Sequence, residues 1–223
     1  MPNKGIEMED MSGNEDEKLT GAEKRDLVLQ AGLQAIPYVG GSLSTLYFGA
    51  KQERRFKRLE SFYSEIASEV SAISDQIASM EEQNAGALAA ILEDLHEKVE
   101  AEPSQEKRRF FKNYFKNTLQ HPVTTNFDKR KYFLDTLAEM TFLECEMLSV
   151  LCAQSGTTSV GTIQNPNTDQ YAIVGAINRL KSYGFLMAFQ GSFAIGGGSD
   201  NVLQERVQVS TFGKEFRDFC LEA

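Results

Sequence analysis

From Phe56 onward the apolar residues fall at Phe56, Leu59, Tyr63, Ile66, Val70, Ile73, Ile77 and Met80, in alternating steps of three and four. That spacing keeps them on a single stripe of an α-helix. With Glu, Ser, Lys and Arg at most other positions it is an a/d heptad, which another helix must cover. Two covers satisfy it. A second copy of the chain would make Leu59, Tyr63, Ile66, Val70, Ile73 and Ile77 an oligomer seam, and a second helix of the same chain would make them the inside of a hairpin. The sequence supplies such an arm: Asn84 to Ala87 (NAGA) weakens the helix, then Leu88, Ile91, Leu92, Leu95 and Val99 resume the stripe before Pro103. The intramolecular hairpin and the homo-oligomer both stay open.

Upstream of the heptad lies a stretch without a charged residue, Leu27 to Ala50. Thr20 and Glu23 form a capping box that opens a helix from Gly21, and Pro37 to Gly41 (PYVGG) breaks it before a restart near Ser42. Gln30, Gln34, Pro37 and the internal glycines Gly32, Gly40 and Gly41 make it a poor single membrane span, so a surface-lying or re-entrant hairpin is the better membrane reading. Ile36, Tyr38, Val39, Leu43, Leu46, Tyr47 and Phe48 would then be the contact with a membrane or a partner. Arg54, Arg55, Lys57 and Arg58 follow at once, as expected beside an anionic lipid leaflet. The alternative is two buried core helices with a solvated basic collar. Residues 1–19 are acidic and poor in apolar anchors, which predicts a disordered tail.

After Pro103, Ser104 to Leu119 interleaves Arg108, Arg109, Lys112 and Lys116 with Phe110, Phe111, Tyr114 and Phe115. Such a helix can hold phosphates or lipid headgroups, or it can bury the aromatics and leave the cations in water. Lys131 to Met140 predicts a further helix. Thr141 with Glu144 is a second capping box, opening Phe142 to Ala153. A polar loop spans Ser155 to Thr168, and Asp169 to Tyr183 predicts a helix buried through Tyr171, Ile173, Val174, Ile177 and Leu180. Phe185 to Ile195 and Val202 to Val209 read as strands flanking Gly196 to Gly198, a hairpin with a last helix from Thr211.

A formal net charge of -9 argues against a chain built as a whole to hold nucleic acid. Cys145, Cys152 and Cys220 form no CxxC pair and read as small apolar residues of a reducing cytoplasm. The beginning of the chain lacks the apolar core of a secretory signal, which predicts a cytoplasmic protein, peripheral at the inner membrane if the hairpin inserts. His96 and His121 lie in different segments, and there is no HExxH, nucleophile elbow or P-loop. The expectation is a non-enzyme with no catalytic residues, no metal and no cofactor.

The order helix, helix ending in RLKSYGFL, β-hairpin, then VSTFGKEFRDF resembles a winged helix over about the last 95 residues. Leu137, Met140, Thr141 and Glu144 stand as in the helix-capped passage of bacterial abortive-infection proteins of the alpha type, which the chain resembles. The fold implied is mainly α: an N-terminal helical hairpin and coiled-coil-like stalk over 20–126, then a winged-helix-like unit with a β-hairpin wing over 127–223. The function implied is antiphage defence or stress response through a protein partner, with membrane contact by the apolar hairpin. The other class is a winged-helix DNA-binding regulator using Arg108, Arg109, Lys112 and Lys116 for phosphates and Asn167, Thr168 and Gln170 near bases. Charge weighs against it. From Thr141 to Ala223, Arg179, Lys181, Arg206, Lys214 and Arg217 face eight acidic residues, and the helix from Asp169 has no Arg or Lys in its first two turns.

Overall fold

The structure is a computed structural model that describes residues 50–78, 84–189 and 201–222. The acidic tail, the hairpin residues Ile36, Tyr38, Val39, Leu43, Leu46, Tyr47 and Phe48, and the glycine run 196–198 lie outside them. The described chain is mainly helical, with one three-stranded antiparallel sheet.

Helix α1 (Ala50–Ala72) carries the heptad and packs on α2 (Ala85–Ala101), which carries the returning stripe. Leu59, Tyr63, Ile66, Val70 and Ile77 are at most 4% exposed inside this one chain, and Ile73 is packed against the same core. The stripe is thus covered by its own chain, which leaves it almost no apolar area for a second copy. The helix also stops earlier than the heptad predicts. After Ala72 a 3₁₀ turn (Ser74–Gln76) delivers Ile77 and Ala78 to the end of α3 (Gln105–Gln120), where Ala78 N–H donates to Leu119 O at 3.0 Å. Asn84 opens α2 as its N-cap, accepting from Ala87 N–H, while its own N–H donates to Val123 O.

Ser104 caps α3 by accepting Lys107 N–H, and Phe110, Phe111, Tyr114 and Phe115 are all buried. Helix α4 (Phe127–Glu139) begins four residues before the expected Lys131. Helix α5 (Phe142–Cys152) opens on the predicted capping box, with both reciprocal bonds between Thr141 and Glu144 formed.

The loop expected over 155–168 contains a two-residue strand, β1 (Thr158–Ser159), and a 3₁₀ turn (Val160–Thr162). Helix α6 (Gln170–Ser182) follows its N-cap Asp169. Strand β2 (Leu186–Phe189) pairs with β3 (Arg206–Val209), Leu186 opposite Val209 and Phe189 opposite Arg206, and β1 adds to the other side of β3. The sheet order is β1-β3-β2. Val202 to Glu205, expected as strand, instead holds most of a short helix α7 (Asn201–Gln204). The reason is local anchoring: Leu203 O accepts Ser159 Oγ–H, and a Cβ on Gly161 would stand 2.9 Å from that same oxygen. Helix α8 (Thr211–Phe216) runs into a π turn (Arg217–Leu221) that packs on α3. One hydrophobic core runs from Leu59 to Leu221 and joins the 127–223 unit to the helices before it.

Candidate functional site

The basic residues singled out in the sequence are largely engaged with the protein itself. Lys112 Nζ lies 2.9 Å from Glu65 and 3.2 Å from Glu69, and Lys116 Nζ lies 2.9 Å from Glu69. Residues four apart on α1 thus meet residues four apart on α3 in rising register, so the two helices run parallel. The hydrogen bond from Lys112 holds the Glu65 carboxyl below its ordinary range; at Glu69 burial opposes this, but the bonds from Lys116 and Lys112 prevail.

Arg55 pairs with Glu100 at 3.2 Å, and Arg58 Nε donates to Glu100 O at 3.0 Å. Arg108 donates to Glu102 O and Pro103 O at 3.0 and 3.1 Å. Three guanidinium groups therefore gather at the C-terminal end of α2, where unpaired carbonyls and the helix dipole attract cations. Arg54, Lys57 and Arg109 are exposed, and Arg109 lies over the Phe110 ring at 5.3 Å. Arg108, Arg109 and Lys112 share the wall of a cavity of about 280 Å³, with Glu65 and Glu106 in the same wall. The four aromatics of α3 are core, so the helix offers no stacking platform for bases.

In the C-terminal unit the cations of α6 are also spent. Arg179 Nε lies 3.2 Å from Glu144, and Lys181 Nζ lies 2.6 Å from Glu205. Asn167, at φ 60°, and Thr168 precede the helix, and Gln170 Nε2 donates inward to Val160 O. The sequence places Tyr171 on the buried stripe, but the structure leaves it 61% exposed on the first turn of α6. Ile173, Val174, Ala176, Ile177 and Leu180 fill the buried face, and at 3.6 residues per turn Tyr171 falls about 60° beyond its edge at Val174. On β2, at the end of the sheet order, Met187 and Phe189 share one face and are 45% and 42% exposed. Pattern alone does not reveal these two as surface residues, because Phe185 to Phe189 is continuously apolar.

His96 is half-buried between α1 and α2. Its ring meets Tyr63 edge-on at 5.1 Å, its Nε2 has no hydrogen-bond partner among the described residues, and burial pushes its pKa down to about 4. The three cysteines are free thiols. Burial raises Cys145 to about 12, Cys220 well above the usual range, and Cys152 in the same direction. Among the described residues no three His, Cys, Asp or Glu side chains are grouped to hold a metal, and no helix is long and apolar enough to cross a membrane. No protein-family model, curated protein or solved structure matches the chain.

Proposed function

We propose that this chain is a non-enzymatic bacterial defence component of the abortive-infection kind, and that it acts by binding a protein partner through a winged-helix-like C-terminal unit. The element order α5, β1, α6, β2, α7, β3 and the strand order β1-β3-β2 support the winged-helix reading, with a 3₁₀ turn standing where such folds carry their second helix and the short α7 between β2 and β3. The observation that carries the function is the character of the face where a DNA reader would meet bases. The first two turns of α6 offer an exposed Tyr171 and no cation, and Arg179 and Lys181 of the last turn are tied to Glu144 and Glu205. Exposed aromatic and Met side chains are the common anchors of protein interfaces, and β2 adds Met187 and Phe189.

The test is protection of a bacterial host against phage by full-length Tyr171→Glu and Phe189→Glu variants whose circular dichroism and melting match the parent. Loss of protection supports the reading, and full protection by both overturns it. Retention on duplex DNA that falls steeply with salt would favour the regulator instead. Contact of the apolar hairpin with the inner membrane is a separate part of the proposal, motivated by the charge-free run from Leu27 to Ala50. Flotation with anionic liposomes, lost on changing Leu46 and Phe48 to Glu, would sustain it, and failure to float would remove it.

A further inference from the structure

Two cations of this chain stand in the buried register of a helix and meet different surroundings. Lys107 precedes Phe110, Phe111 and Tyr114 by three, four and seven residues, and Arg130 precedes Phe133, Leu134 and Leu137 by the same steps. Both are carried under the surface, 7% and 6% exposed. Lys107 Nζ is met by Glu102 at 3.0 Å and by Ala138 O at 2.7 Å. Arg130 has no such partner: among the described residues its guanidinium makes no ion pair or hydrogen bond, and its Nε is buried and unsatisfied. It rests on Phe219, whose ring centroid is 3.7 Å from Cζ. Burial lowers its pKa, yet a guanidinium stays charged. A buried cation without an anion is costly, and a guanidinium stacked on a ring keeps its N–H edge free for a planar, two-pronged acceptor.

Arg130 and Phe219 line a cavity of about 290 Å³ between α3, α4 and the C-terminal turn. The other charges in its wall have partners other than Arg130: Lys129 pairs with Glu215 at 3.0 Å, and Asp218 with Arg217 at 2.7 Å, an arginine that Glu222 shares. Asn117 Nδ2 donates to Phe219 O at 3.0 Å and steadies the ring beneath Arg130. We propose that this cavity binds a carboxylate, seated against the N–H edge of Arg130. The two oxygens of a carboxylate fit the unpaired N–H edge of Arg130 and add one negative charge, whereas a phosphate dianion would add two beside Glu215 and Asp218. The carboxylate can come from a free organic acid or from an acidic side chain of a protein. The site does not depend on the role given to Tyr171 and β2.

The experiment follows the Arg130 Nε–H and Asn117 side-chain amide resonances of the isotope-labelled full chain. Sodium acetate, the peptide acetyl-Gly-Glu-Gly-amide and sodium phosphate are added in separate titrations, with sodium chloride at matched ionic strength as reference. We expect a saturable shift with acetate or peptide, weakened about tenfold or more in Arg130→Met as read at Asn117. Saturation by acetate points to a free acid, and saturation by the peptide alone points to a protein side chain; either supports the site. No saturation by either, a chloride effect of equal size, or tighter binding of phosphate overturns the proposal. So does undiminished binding by a folded Arg130→Met chain; should that variant not fold, the titrations of the parent decide alone.

Discussion

Gly213 sits directly against Phe185: a Cβ on Gly213 would lie 2.3 Å from the Phe185 carbonyl oxygen and 2.9 Å from its Cα. That carbonyl accepts Ser210 N–H at 2.9 Å, and Ser210 Oγ in turn accepts Gly213 N–H and donates to Gly184 O. The first turn of α8 is thereby clamped to the start of β2, which lets Phe216 stack on Phe185 at a centroid distance of 4.3 Å. Gly213→Ala must push two backbones apart, and a loss of about 2–4 kcal/mol is expected in urea unfolding. Gly175→Ala is the control, since its Cβ would meet open space on the exposed side of α6. It should hold or gain up to about 1 kcal/mol.

The closure of the heptad within one chain makes a second prediction. Ile66 is 0% exposed, so Ile66→Ala should cost about 2–5 kcal/mol while the mass by light scattering stays as in the parent. Ile66→Asp should unfold the chain rather than release a stable monomer from an oligomer. A parent oligomer that dissociates into a folded Ile66→Asp monomer would restore the seam.

What was legible in the sequence was what local chemistry dictates. Ser104, Thr141 and Asp169 mark helix starts because a short polar side chain satisfies orphan N–H groups whatever lies beyond. The stripes of α1 to α4 follow from periodicity in the same way. Strand β1 was not legible: two residues carry no pattern, and Thr158 and Ser159 become a strand only through Val207 and Arg206, far along the chain. Helix α7 does not show in the strand-like pattern of Val202 to Val209 for a related reason, since its course is set by contact of Leu203 with Ser159 and the turn after β1. Charge patterning alone does not show that helix ends inside the fold take up Arg58 and Arg108. Arg130 did carry a signal, namely a charge in phase with Phe133, Leu134 and Leu137.

Lys107 shares that signal and tests what a satisfied buried cation contributes. It ties the first turn of α3 to the last turn of α4 through Ala138 O while pairing with Glu102. Lys107→Met leaves the part-buried Glu102 carboxylate, 13% exposed, without its cation and held by Ser104 N–H, and a loss of about 2–3 kcal/mol is expected, below that of a fully buried pair. Adding Glu102→Gln removes the stranded charge and should recover part of that loss. Additive losses in the double variant would mean that the two side chains do not act as a pair.

His96 sets how stability responds to mild acid. Burial holds its pKa near 4 in the fold, against an ordinary value of 6.5. Between those values the unfolded chain binds a proton that the folded chain refuses, so stability is complete above about pH 6.5 and falls as pH is lowered toward 4. Because the ring is only half-buried, solvent screens part of the effect, and a loss of about 1–2 kcal/mol between pH 7.5 and 5 is expected from urea unfolding. Glu65 and Glu69 act in a lower window. Their lysine bonds hold them below an ordinary 4.5, so what they contribute is present above that value and lost beneath it. His96→Leu should therefore flatten the profile from pH 7.5 to 5 while leaving the acid limb below 4.5 in place. An unchanged slope in that variant would show that the imidazole beside Tyr63 is not the group that titrates.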